Sequence, residues 1–382
     1  MKIGLVIDSF NPHRGGAEAW TYQHALNLLA RGYEVHVIAQ DIPAKAAELP
    51  IVIHRLEKIN TPLDRAEAAE AKLRTLKLDL IHDMGLGWYC DVFQPHSGCW
   101  TAITQQKLLF MPRWFRPIKH RVDSWLPRYR QFQSLSKRQA ATEDHIFLAL
   151  SHKVAEEFQL YHQVPTDRIH VVYNGVDVER FAPRRQAEFR QSMRRRLGIP
   201  DSDVLAIAVA HNFRLKGVPT LMRAMEILSR KHLPVHAVVV GGKHIVPWQL
   251  KAKARRLPMT FVGAQSDTVP FYAAADMLVH PSFYDTCSLV LLEAAASGLP
   301  LLVSRENGAA ELLSDGVEGL LLDDPADAER LAVQMELLLD ASLRQRMGAA
   351  ARQLASQHTL ERNCEEIIDV YRQCAQSRRM AA

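Results

Sequence analysis

Two carboxylates, Asp285 and Glu293, stand eight positions apart in the stretch His280-Pro281-Ser282-Phe283-Tyr284-Asp285-Thr286-Cys287-Ser288-Leu289-Val290-Leu291-Leu292-Glu293. Its polar half runs into an apolar half of helical composition. Asp285 is therefore expected in a loop and Glu293 on the helix that follows, with Thr286 and Ser288 as N-cap candidates. A helix N-terminus offers unpaired N–H groups and positive dipole to an anion. A carboxylate one to two turns in is placed to accept hydrogen bonds from neutral hydroxyls such as a ribose diol. Together these parts suit a nucleotide diphosphate joined to a sugar.

Two other stretches carry compatible chemistry. Ala210-His211-Asn212-Phe213-Arg214-Leu215-Lys216-Gly217-Val218 follows a strand-like apolar run, and a cationic strand-to-helix loop suits a diphosphate that gains charge as it leaves. After the first apolar run, Asn11-Pro12-His13-Arg14-Gly15-Gly16-Ala17-Glu18 places adjacent glycines where a backbone could approach a ligand and expose helix N–H groups. The pattern is not Gly-x-Gly-x-x-Gly and no acid ends the second strand, which disfavours a dinucleotide dehydrogenase.

The elements that must hold these residues alternate between strand and helix. Ile3 to Ile7, Glu34 to Ala39, Leu78 to Ile81 and Ile146 to Leu150 read as strands of the first half, with a helix from Ala17 to Ala30. Val204 to Ala210, Val235 to Val240, Thr260 to Val262, Met277 to His280, Leu299 to Val303 and Gly319 to Leu322 repeat the cycle, with a helix through Thr220 to Arg230. Such alternation predicts an α/β fold of two doubly wound parallel sheets in series, with ligands in a cleft between them. Residues 1–173 and 174–360 form the two expected domains, with the tight turn at Asn174-Gly175 at their boundary. The arginine run Arg194 to Arg196 reads as a solvated helix face.

Composition agrees with two ordinary globular domains: 382 residues, 48% hydrophobic and 23% charged. The net charge of +5 permits an acidic partner without requiring one. Five scattered cysteines with no Cys-x-x-Cys pair point to reduced thiols in a cytosolic compartment rather than a metal cluster or disulfide frame. No apolar run is long enough to span a bilayer, and the N-terminus turns polar too soon for a signal peptide.

The acidic pair resembles the Glu-x7-Glu signature of retaining glycosyltransferases of family 4, which have the GT-B architecture of two Rossmann-like domains. The resemblance implies that Asp285 contacts the donor sugar, although the family usually has Glu there. It assigns Ser288, Leu289 and Val290 to the diphosphate and Glu293 to the ribose. Lys216 matches the family's lysine before Gly-Val. Arg214 is displaced from the usual arginine position, which His211 occupies, so Arg214 and Lys216 are the expected phosphate cations. Gly15 and Gly16 match the family's first-domain turn and are assigned to donor binding, Gly263 opens its base-binding loop, and His96 is the candidate active-site histidine, with His82 as the lesser competitor. Val171 to Asp177 matches the family's interdomain segment, and the resemblance implies that 361–382 is a helix packing back on the first domain. No cofactor or metal is implied. Asp201-Ser202-Asp203 has the form of a metal-ligand pair but reads as a turn at a domain start.

Between Lys107 and Arg138 lie nine Lys or Arg and one acid, Asp123, interleaved with large apolar residues. Arg113, Trp114, Phe115, Arg116, Lys119, Arg121 and Trp125 form the densest part and suit an anionic lipid surface. A similar insertion occurs in family members that build the lipopolysaccharide core. The implied activity is transfer of a hexose from a nucleotide-sugar, UDP-sugar favoured, to a lipid-linked glycan at the inner face of the cytoplasmic membrane. The rivals are a soluble-acceptor glycosyltransferase, a sugar-nucleotide epimerase and a non-catalytic polyanion-binding protein. Nucleic acid is disfavoured, because no nucleic-acid-binding motif accompanies the basic segment.

Overall fold

The computed structural model describes residues 1–110, 114–142 and 145–381, so Arg113, one of the expected membrane contacts, lies outside the described residues. The chain divides into two compact units, residues 1–173 with 361–382, and residues 174–360.

The first unit is a seven-stranded parallel sheet of order β3-β2-β1-β4-β5-β6-β7. Its strands are β1 (Lys2–Val6), β2 (Glu34–Ala39), β3 (Val52–Arg55), β4 (Leu80–Asp83), β5 (Val92–Phe93), β6 (Ile146–Ala149) and β7 (Ile169–Val171). Its helices are α1 (Gly16–Ala30), α2 (Pro62–Leu73), α3 (Trp100–Leu108), α4 (Arg116–Trp125), α5 (Pro127–Ala141) and α6 (His152–His162). β1 sits centrally, with Leu5 opposite Val37 of β2 and His82 of β4, and Ile3, Leu5 and Val6 fully buried. That is why β1 reads as a continuous apolar run instead of an alternating one.

The second unit is a six-stranded parallel sheet of order β10-β9-β8-β11-β12-β13. The strands are β8 (Val204–Val209), β9 (Val235–Val240), β10 (Met259–Gly263), β11 (Met277–His280), β12 (Leu301–Ser304) and β13 (Gly319–Leu322). Helices α7 (Pro183–Leu197), α8 (Val218–Arg230), α9 (Val246–Ala254), α10 (Val269–Ala274), α11 (Leu289–Ala296), α12 (Ala328–Leu337) and α13 (Ala341–Ser356) cover it. Helix α14 (Leu360–Ala381) carries the chain back into the first unit. Trp20 Nε1 donates to Asn363 Oδ1 at 3.1 Å, and Asn363 Nδ2 donates to the Tyr173 carbonyl at 2.7 Å.

The expected strands are present with ends shifted by no more than two residues. β3, the two-residue β5 and the three-residue β7 are the ones the periodicity did not bring out: β5 and β7 are too short to show alternation, and β3 is a partly exposed edge strand that ends in His54 and Arg55. The arginine run departs from expectation. Arg195 and Arg196 are exposed, but Arg194 is 2% exposed and pairs with Asp276 Oδ2 at 3.1 Å, while its guanidinium also donates to the carbonyls of Ala274 and Pro200 at 3.1 and 2.8 Å. α7 packs one face against α10, so a charge run that looks uniform along the chain is split by the helical period. Asp276 Oδ2 also accepts from Leu205 N at 2.8 Å, which ties α7 to the start of β8.

One glycine sets how closely two loops of the second unit meet. Gly217, at the N-cap of α8, has φ +71°, and a Cβ there would lie 1.8 Å from the Pro281 carbonyl oxygen. Phe283 N donates to Leu215 O at 2.8 Å across the same junction. Both the left-handed backbone and the contact exclude other residues. Gly217→Ala is expected to destabilise the protein by more than about 2 kcal/mol, read as a lowered denaturant midpoint. An unchanged midpoint would mean that the loops are not held this closely.

Candidate functional site

β8 and β11 are neighbours in the sheet, so the loops leaving their carboxyl ends lie side by side, where open α/β sheets bind ligands. Lys216 comes from the first loop and Asp285 from the second. Lys216 Nζ meets Asp285 Oδ2 at 2.5 Å, with side chains only 10% and 13% exposed, and also donates to Tyr284 O at 3.3 Å. His280, at the end of β11, is buried and approaches the same carboxylate oxygen through Nε2 at 3.3 Å. Burial alone would raise the Asp285 carboxyl, but Lys216 and His280 overrule it and hold it well below the usual carboxylate range. The expected sugar carboxylate and the expected phosphate cation are thus one ion pair. Arg214 and His211, on the same loop, are exposed.

α11 begins at Leu289 with Ser288 as its N-cap. The Ser288 side chain does not cap. Its N–H donates to Asn307 Oδ1 at 3.3 Å, and the next N–H groups of the first turn, Leu289 and Val290 foremost, have no intrahelical acceptor. The carbonyl before the cap, Cys287 O, accepts from Asn174 Nδ2 at 2.7 Å. Two buried asparagines therefore brace this helix start, and no local pattern in the chain marks either for that role. One turn on, Glu293 is half-buried and accepts from Tyr272 Oη at 2.8 Å. Burial pushes its carboxyl up to about 7, with the Tyr272 hydrogen bond and Arg180 pulling down and Asp267 pushing up. Gly263 ends β10 at φ +73°, beside a register shift in the β9–β10 pairing.

In the first unit, Gly15 is the N-cap of α1 in fully extended backbone (φ −175°), and Gly16 is the first helical residue. Gly15 is therefore not required by conformation, and a Cβ there would meet only the movable end of Glu18. His96 follows β5 and is half-buried, with its ring 4.6 Å from that of Trp20. Burial pushes its imidazole down to about 3, so it is neutral at physiological pH. His82 is fully buried, and its Nδ1 lies 2.6 Å from Tyr371 Oη, which also meets His24 Nε2 at 2.9 Å. The His82 ring thus packs against Tyr371 of α14.

A polar cleft of about 490 Å³ opens at the carboxyl ends of β1 to β3 and was not anticipated. Asp8 is central to it, taking Arg65 at 2.6 Å and Arg14 at 3.0 Å. Nothing in their spacing announces these residues, because the sheet brings them together from separate loops.

α4 presents an apolar stripe to solvent. Ile118, Val122 and Trp125 recur at helical spacing and are 51%, 55% and 73% exposed, with Trp114 just ahead of the helix at 75%. Trp114 and Phe115 pack edge to face at 5.6 Å. Lys119 pairs with Asp123 one turn away, and Arg121 is exposed. Among the described residues no helix is long and apolar enough to cross a membrane.

Two family profiles match consecutive parts of the chain. Glycosyltransferase Family 4 covers residues 14–180, and Glycosyl transferases group 1 covers 189–354. The lipopolysaccharide glucosyltransferase WaaG of Escherichia coli is 25% identical over 97% of this chain and 98% of its own. The D-inositol 3-phosphate glycosyltransferase of Xylanimonas cellulosilytica is 28% identical over 76% of this chain and 74% of its own. The crystal structure of WaaG, described as a glycosyltransferase involved in lipopolysaccharide biosynthesis, shares the fold with a TM-score of 0.80 at 23% identity, covering 96% of this chain and 99% of that one. Anabaena HepE, crystallised with UDP and glucose, shares it with a TM-score of 0.70 at 19% identity, covering 98% of this chain and all of that one. With two parallel-sheet units, each matched by its own profile, the chain belongs to the group 1, family 4 glycosyltransferases of GT-B fold, and is an enzyme similar to the lipopolysaccharide core glucosyltransferases.

Proposed function

We propose that this glycosyltransferase moves a hexose from a UDP-sugar to a hydroxyl of a lipid-linked glycan of the lipopolysaccharide-core kind, with retention of anomeric configuration. The observation that carries the donor half is the meeting of Lys216 and Asp285 beside the N-terminus of α11. As the bond from the sugar C1 to the diphosphate oxygen breaks, its electron pair stays on the phosphate. The Lys216 ammonium, the Leu289 and Val290 N–H groups and the exposed Arg214 are the groups available to meet that charge. Asp285, ionised throughout the neutral range, accepts hydrogen bonds from sugar hydroxyls, and Glu293 takes the ribose diol. Gly263 leaves its loop open toward the base. In the first unit, the α1 N-terminus at Gly15 and Gly16 is assigned to the donor, and the neutral His96 to the sugar and acceptor. No metal has a step in this scheme, because lysine and helix dipole supply the positive charge.

The acceptor half rests on α4. A soluble protein gains nothing from leaving Trp114, Ile118, Val122 and Trp125 exposed on one side amid basic residues, whereas an anionic bilayer interface accommodates both. HepE with UDP supports the donor base, and WaaG supports the lipid-linked acceptor. A water-soluble phosphorylated acceptor, the kind named for the Xylanimonas relative, is the competing reading, and the exposed stripe weighs against it.

Lys216→Ala is expected to lower kcat for sugar transfer from UDP-glucose by about 10²–10³-fold, while EDTA leaves the wild-type rate unchanged. Full activity in the variant, or loss in EDTA, would each contradict the scheme. For the acceptor half, the Trp114→Ala/Trp125→Ala pair should weaken binding to vesicles containing anionic lipid by at least about tenfold and spare hydrolysis of the donor in solution. Vesicle binding that survives both substitutions would remove α4 from the membrane contact.

A further inference from the structure

We propose that Tyr272 is a positioning residue for the nucleotide's ribose: its hydroxyl fixes one oxygen of the Glu293 carboxylate and leaves the other for the vicinal diol. The proposal rests on the reading of Glu293 as the ribose ligand.

Tyr272 lies on α10, is 0% exposed and donates from Oη to Glu293 Oε2 at 2.8 Å. Its ring is packed edge to face on Phe181 at 5.6 Å, so its position is set by the core. Glu293 is only partly buried. The carboxylate therefore stands at the boundary of the interior with the phenol behind it, where no ligand reaches the phenol. Burial, and then the neighbouring carboxylate, push the phenol well above its ordinary value, so it stays protonated and acts as a donor.

A neutral donor is the useful partner at this place. A cation would neutralise the carboxylate and compete with the diol for it, whereas a phenol O–H orients one oxygen and leaves the charge available. The nearby cation, Arg180, is instead engaged by Asp267 at 3.0 Å. These are the charged and titratable groups acting on Glu293: Tyr272 and Arg180 favour the carboxylate, while burial and Asp267 oppose it, and the balance lies at about 7. At that balance, a single hydrogen bond decides how much carboxylate is present at neutral pH. The sign follows from the deprotonated form being the better acceptor for two hydroxyls: binding of the nucleotide strengthens as pH rises through about 7. Removing the phenol oxygen moves that rise to higher pH.

The test titrates UDP, 2′-deoxy-UDP and 3′-deoxy-UDP into the wild type, Tyr272→Phe and Glu293→Gln on both sides of pH 7. Phenylalanine keeps the ring in its core slot, and a Tyr272→Met variant repeats the measurement if the phenylalanine protein melts early. The wild type should prefer UDP to the deoxy nucleotides by about tenfold or more. Tyr272→Phe should lose most of that preference, shift the pH rise upward, and raise the donor KM with little change in kcat. A merely structural tyrosine moves none of these ratios. If Tyr272→Phe keeps the preference and the pH midpoint while Glu293→Gln loses the preference, the tyrosine proposal fails and the ribose reading stands. If Glu293→Gln also keeps the preference, both are overturned.

Discussion

A buried ion pair joins the two loops of the second unit on which the proposed donor site depends. Lys216 and Asp285 are almost withdrawn from water, and two charges so placed repay their desolvation only when held tightly and further hydrogen-bonded. The structure meets that condition through backbone. Gly217 lets its loop lie against the Pro281 carbonyl, the Phe283-to-Leu215 hydrogen bond closes the junction, and His280 adds a second partner to the carboxylate. The β8–β11 pairing is what makes these loops neighbours in the first place. Strand order thus determines loop adjacency, loop adjacency demands glycine, and glycine permits the ion pair.

The two acids eight residues apart are driven in opposite directions by their surroundings. Both are desolvated, which favours the neutral acid in each. At Asp285 a lysine reverses the effect, whereas at Glu293 a tyrosine hydroxyl only softens it. One carboxylate is therefore ionised at any physiological pH and the other stands near its midpoint. Divergent carboxylates of this kind mark a site with divided tasks, here a sugar with several hydroxyls at the first and a single diol at the second, on the proposed reading. The shorter Asp285 side chain fits the same logic, because an acid that must meet Lys216 and His280 at close range has its reach fixed by them.

Much of this was legible because it is local. The acid spacing, the Lys216-Gly217-Val218 turn and the alternation of apolar runs are all contained in short windows. The partners of those residues are not. Tyr272 sits 21 positions before Glu293 in an apolar helix, and its hydroxyl is the only local sign that it needs a polar neighbour. Asn174 and Asn307 reach the start of α11 from other loops of the chain, and Asn307 accepts from the N–H of Ser288, the first of the three residues that the family resemblance assigns to the diphosphate. Arg194 was misread for a related reason: three adjacent arginines look alike until α10 packs against one side of the helix. The sequence ranks His96 ahead of His82 but gives no sign of the Tyr371 hydroxyl that reaches the His82 ring from α14.

The first unit shows how differently its interior and its surface treat cost. Inside, Tyr371 sits between two histidines that burial keeps uncharged, so one hydroxyl can donate to one ring and accept from the other without placing a charge in the core. Even the tie to α14 is completed by the side-chain amide of Asn363. The surface at α4 shows no such economy. This helix of ten residues has no side-chain cap and turns its largest apolar groups outward. A helix that short is marginal alone in water, and its contacts with α3 and α5 cover only its inner side. An interface that takes up the outward stripe would both bury the indoles and stabilise the helix. On the proposed function, the lipid surface is then a structural partner of α4 as well as the place where the acceptor is found.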